Sequence, residues 1–94
     1  MKLGERLLER RYRLVRPVKT GAGVQTYLGE DIRDGTRTIV KTAPAAVVSS
    51  ALQMRLEHEA EVLRALDSTG DLPRFGRDDD VVYLIQPFVP ERWR

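Results

Sequence analysis

Apolar and polar residues alternate along the first half of this 94-residue chain, and the period then lengthens. Tyr12, Leu14 and Val18 are separated by Arg13, Arg16 and Lys19, which predicts a strand with one wet face. Pro17 has no N–H for a ladder, so that strand is expected at an edge or bent. Thr20-Gly21-Ala22-Gly23 reads as a turn, residues 25–31 as a second strand, and Arg33-Asp34-Gly35-Thr36 as a hairpin connection. Residues 37–42 are β-branched and stop at Ala43-Pro44, giving a third strand and an antiparallel meander. Ahead of it, residues 1–11 are charged with only Leu3, Leu7 and Leu8 as large apolar groups, and read as a surface lead-in.

From Ser50 to Leu66 the spacing is helical. Leu52, Leu56, Leu63 and Leu66 fall on one face, and Ser50 with Gln53 matches a capping box. The position that completes the face between Leu56 and Leu63 is Glu59. An unpaired charge buried there would cost roughly several kcal/mol, so a cation should meet it, and Lys41 at the end of the third strand is the best candidate. Asp67-Ser68-Thr69-Gly70 closes the helix, residues 71–77 read as a short strand interrupted by Pro73, and Asp78-Asp79-Asp80 as a turn. Val81-Val82-Tyr83-Leu84-Ile85 is the most apolar run and predicts a central strand, while Pro87 and Pro90 mark an irregular tail. The expected fold is α+β: a five-stranded antiparallel sheet with one long helix packed on it, a lead-in at 1–11, the domain proper at 12–86 and a tail at 87–94.

Composition narrows the chemistry. Apolar residues are 41% of the chain, charged residues 32% and the net charge +2, values of an ordinary globular domain with no bias toward nucleic acid or membrane. Without cysteine there is no disulfide, thiolate metal site or cysteine nucleophile, and the single histidine, His58, rules out a paired-histidine metal site. His58 reads as an exposed helix residue with no role. Arg6, Arg10, Arg11, Arg13 and Arg16 read as a solvated face; no aromatic platform accompanies them, so nucleic acid is not expected. No apolar run approaches the roughly 18 residues of a membrane span and the N-terminus lacks a secretory apolar segment, so a cytoplasmic protein is expected.

Strand, glycine turn, strand, lysine-bearing strand, then a helix with an inward glutamate: this order resembles the N-terminal lobe of a eukaryotic-like Ser/Thr protein kinase. The likeness runs over roughly residues 11–91. Tyr12-Arg13-Leu14-Val15-Arg16-Pro17-Val18 is similar to the family's opening strand, and Gly35-Thr36-Arg37-Thr38-Ile39-Val40-Lys41 to the strand bearing its phosphate lysine. Arg55-Leu56-Glu57-His58-Glu59-Ala60-Glu61-Val62-Leu63 is similar to the helix carrying the partner glutamate. Tyr83-Leu84-Ile85-Gln86-Pro87-Phe88-Val89 is similar to the strand and hinge leading to the second lobe.

The resemblance implies that Lys41 holds ATP phosphates, Glu59 orients Lys41, and Gly21 and Gly23 lie in the phosphate-covering loop. It places Val89 at the adenine-binding hinge and Val18, Thr26, Ile39 and Gln86 on the pocket wall, Gln86 as gatekeeper. Its cofactor would be ATP with magnesium. Several positions depart from the family pattern. Lys19 stands at the first loop glycine, Val24 at the third, Thr26 at the valine that covers the base, Ile39 at a small alanine, and Pro87 removes a hinge N–H. No His-Arg-Asp loop or Asp-Phe-Gly motif is present, so these 94 residues are expected to be inactive alone and to need a second lobe for Ser/Thr kinase activity. That lobe, or another protein, is the expected partner, covering Phe88 and Trp93 in the tail. Two plainer readings stay open: Lys41 and Glu59 as a structural ion pair, and the whole as a pseudokinase-like interaction module without catalysis.

Overall fold

The computed structural model describes residues 7–21, 23–66, 72–78 and 80–88. Among them six strands form one antiparallel sheet: β1 (Leu7–Leu8), β2 (Tyr12–Gly21), β3 (Val24–Asp31), β4 (Arg37–Pro44), β5 (Arg74–Arg77) and β6 (Val81–Pro87), in the order β1-β2-β3-β4-β6-β5. One helix, α1 (Ser50–Leu66), packs over β5 and β6. The α+β class, the antiparallel meander and the span of the helix agree with the sequence reading; the strand count does not.

The additional strand is β1, in the stretch read as a lead-in. Leu8 is fully buried, and Leu7 and Leu8 pair with Arg13 and Tyr12. The turn between them has Glu9 and Arg10 at φ 55° and 56°, closed by the Arg11 N–H donating to the Leu8 carbonyl at 3.0 Å. Two left-handed residues in a row make the kind of turn whose usual signal is Asn-Gly. With Glu-Arg in that place the signal was missing. Pro87 also belongs to β6 rather than to the tail, paired with Thr38 at the end of its ladder.

Alternation along β4 and β6 divides the core. Val40, Tyr83 and Ile85 join Leu8, Tyr12, Leu14, Tyr27 and Leu72 in one cluster. Val82 and Leu84 join Leu56 and Ala60 of α1 in the other. Successive strand residues point to opposite faces, so the helix covers the second face and leaves the first to Leu8 and Tyr12. On α1 the buried residues are Leu56, Ala60 and Leu63; Leu66, predicted to share that face, is 73% exposed. The capping residue is Ser49, not Ser50: the Ser49 Oγ accepts the Leu52 N–H at 3.0 Å, and Gln53 turns its amide to Glu57 instead of closing a box.

A polar cluster ties β1 to the other end of the sheet. Tyr83 donates its hydroxyl to Glu9 Oε2 at 2.5 Å, and Arg74 holds Glu9 Oε1 at 2.7 Å. Burial first, and the neighbouring Glu9 carboxylate second, push the Tyr83 phenol well above its usual range, so it stays a donor at any ordinary pH. Across the ladder from Tyr83 is Gly76, where a Cβ would stand 2.6 Å from the Tyr83 hydroxyl and 2.8 Å from Cζ. Gly76→Ala is therefore expected to cost about 1–3 kcal/mol by overpacking. Urea denaturation checks this, and in a Tyr83→Phe background, with the nearest clashing atom gone, part of that loss should disappear.

No helix among the described residues is long and apolar enough to cross a membrane.

Candidate functional site

The register of the meander builds one face of the site. Lys19 on β2 pairs with Thr26 on β3, Thr26 with Lys41 on β4, and Lys41 with Leu84 on β6. Paired residues in an antiparallel ladder share a face, so Lys19, Thr26 and Lys41 stand in a row across the sheet. The opposite wall comes from α1. Leu52, Arg55, Leu56 and Glu59 follow helical spacing and present one side to the sheet, with Arg55 one turn before Glu59. Between the two walls lies a cavity of about 370 Å³ lined by Lys19, Gly21, Val24, Thr26, Lys41, Leu52, Arg55, Leu56 and Glu59.

Across that cavity Lys41 meets Glu59, Nζ to Oε2 at 2.5 Å. The pair predicted from the lone acid on the apolar face is thus present, with one difference in setting. The Glu59 side chain is 38% exposed and Lys41 19%, so the carboxylate stands at the rim and the lysine is the deeper partner. Ala60, one residue on, takes the buried place the pattern assigned to Glu59. The desolvation argument for Glu59 was too strong for a side chain that still reaches water, yet the pairing it led to holds.

The remaining candidates divide. Gly21 and Thr26 line the cavity beside Lys41. Gly23, at φ +81° in the hairpin connection, contacts the helix instead: a Cβ there would lie 3.7 Å from Leu52 Cδ2. Gly23 therefore lies beside the first turn of α1. Ile39 and Gln86 pair in the ladder two positions along from Lys41 and Leu84. Both are buried, at 1% and 3% exposure, and the Gln86 Oε1 has no hydrogen-bond partner among the described residues. Neither lines this cavity, nor does Val18, which is 42% exposed. Val18 falls at a register shift of β2, between Pro17 and Lys19. Val89 and Trp93 lie outside the described residues, and Phe88 is half-buried. His58 is exposed on α1, as expected.

Two lining residues were missed as site residues. Lys19 was noted only as a departure in the glycine loop, and Arg55 only as part of the helix. The signal for both was available: Lys19 follows from hairpin register through Thr26, and Arg55 from its place four residues before Glu59. Neither has an ion-pair partner among the described residues, whereas Lys41 is engaged. Three cations face one carboxylate, leaving two positive charges in excess. Such a concave, partly apolar cleft with converging cations suits a phosphate-bearing ligand, whose charge the cations neutralise and whose apolar part Val24, Leu52 and Leu56 can cover. No group of three or more His, Cys, Asp and Glu side chains placed to hold a metal occurs among the described residues.

No protein-family model matches the chain, and no curated protein matches it.

Proposed function

We propose that this chain is the N-lobe portion of a protein-kinase-like signalling protein, contributing ATP phosphate binding to Ser/Thr phosphorylation when a second lobe completes it. The observation that carries the reading is the Lys41–Glu59 ion pair across a cleft roofed by the Gly21 hairpin. A helix carboxylate in contact with the lysine fixes where its ammonium stands in the cleft. Thr26 lies beside it as a hydroxyl on the cavity wall. The second lobe would supply the catalytic base and the ligands for magnesium.

Nucleotide titration of the chain, followed by calorimetry, tests this. Lys41→Met is expected to weaken ATP binding by tenfold or more, the loss of one charge-assisted contact of about 1.5–3 kcal/mol. Equal affinity in the variant, with its fold intact by circular dichroism, would remove Lys41 from the site and the reading with it.

A second reading is favoured by the outer side of α1. Met54 and Leu66 are 68% and 73% exposed, Val62 is 41% exposed, and Val47 just before the helix is 77% exposed. These apolar groups suit a pseudokinase-like interaction module that docks a protein through the helix. Light scattering that shows a monomer at all concentrations, unchanged by Leu66→Glu, would speak against it.

A further inference from the structure

We infer that the cleft binds the phosphate chain of a nucleoside triphosphate without a metal ion, Lys19 and Arg55 supplying the two positive charges that one divalent ion would otherwise bring. The inference rests on the reading of the cleft as a phosphate site and goes beyond it in naming the ionic form of the ligand and two further residues that hold it.

Its basis is the placement of charge. Lys41 and Glu59 cancel within their own pair. What the cleft offers a polyanion beyond that pair is the Lys19 ammonium from β2 and the Arg55 guanidinium from α1, on opposite walls of the same cavity. Lys19 stands two ladder steps from Lys41, ~10 Å across the sheet, with Thr26 between them. Arg55 stands one helical turn from Glu59, about 5–6 Å between Cβ atoms. The three cations therefore sit at the corners of the cleft and can hold successive phosphates from two sides. Arg55 brings a planar fork that fits two phosphate oxygens at once, and Lys19 a point charge on a flexible stem. Both are exposed, so neither holds the fold together and both can move to a ligand. Without metal ligands from a second lobe, a divalent ion entering on the triphosphate would meet these cations at close range and be repelled by them.

The test is calorimetric titration of the intact chain with ATP in EDTA, with ATP and magnesium, and with inorganic triphosphate in EDTA. Wild type is expected to bind ATP and inorganic triphosphate in EDTA at least as tightly as it binds the magnesium complex. Lys19→Gln and Arg55→Gln should each weaken metal-free binding by about tenfold, and raised salt should weaken it in wild type more than in either variant. Binding of ATP only with magnesium, unmoved by Lys19→Gln and Arg55→Gln, overturns this inference and leaves the phosphate-site reading standing. No binding of any of the three by a folded wild-type chain overturns both.

Discussion

Replacing Asp31 with Ala is expected to cost about 3 kcal/mol of folding stability, although the residue lies at the far end of β3 from the cleft. Its carboxylate is the most fully engaged in the described structure. Oδ2 accepts from Arg11 Nε at 3.0 Å and from Nη2 at 2.8 Å, while Oδ1 accepts the Arg33 backbone N–H at 3.0 Å. The side chains are only 7% and 15% exposed for Asp31 and Arg11. Taking away the acid removes from the guanidinium, which also lies over the Tyr12 ring at 4.7 Å, the carboxylate it grips through two nitrogens. Breaking one side of a buried pair costs more than the pair contributes relative to an apolar substitute, because the remaining charge is stranded. For a domain of this size, with a net stability on the order of 5–15 kcal/mol, such a loss is a large share.

The same carboxylate sets an acid limb. Its hydrogen bond from Arg11, and to a lesser degree the Arg33 N–H and the charges of both arginines, hold Asp31 below the usual carboxylate range against the opposing effect of burial. A depressed carboxylate contributes stability that is complete above the unfolded value, ~3.9, and is lost as pH falls through the folded value. Urea midpoints measured at pH 7 and again near pH 2 should therefore fall further in wild type than in Asp31→Asn, and the two proteins should converge in acid. Parallel pH profiles for the two would show that the Arg11 contact stores nothing on Asp31.

That pair was not legible in the sequence, and the reason is physical. Arg11 sat in a basic run that reads as solvated, and Asp31 beside a turn where acids are common. Only the pairing of Tyr12 with Asp31 in the ladder brings the two strand ends together, and register depends on the bulges that shift β2 at Val15 and Val18. By contrast, Lys41 and Glu59 were legible because each broke a pattern: a base closing a β-branched run and an acid on an apolar helical face. The helix itself was read to the residue, since seventeen positions of sustained period carry a strong signal. The turn at Glu9 and Arg10 carried none, so β1 and the burial of Leu8 went unseen. Where local chemistry agrees with the fold the sequence is readable; where tertiary contacts hold a turn against its own preferences, as Tyr83 and Arg74 hold Glu9, it is not.

Leu84→Ala is expected to cost about 2–5 kcal/mol and, in addition, to weaken nucleotide binding although the residue touches no ligand. Leu84 is fully buried in β6, paired with Lys41 on one side and Phe75 on the other, and packed in the cluster with Leu56 and Ala60 of α1. It is the point at which the helix bears on the sheet next to the ion pair. A cavity left there relaxes partly by collapse of the helix, and the amount of collapse decides where in that range the stability loss falls. Collapse also carries Glu59 with it, because the side chain that reaches Lys41 stands one turn from Leu56 on the same helix. Displacement of a charged contact by even 1 Å is enough to degrade a binding geometry built on hydrogen-bond distances. The two effects separate experimentally. Denaturation reports the stability, and ATP titration at a temperature where the variant is fully folded reports the geometry. A variant that is less stable yet binds ATP with wild-type affinity would mean that the helix keeps its place without Leu84, and that the pair is positioned by β4 alone.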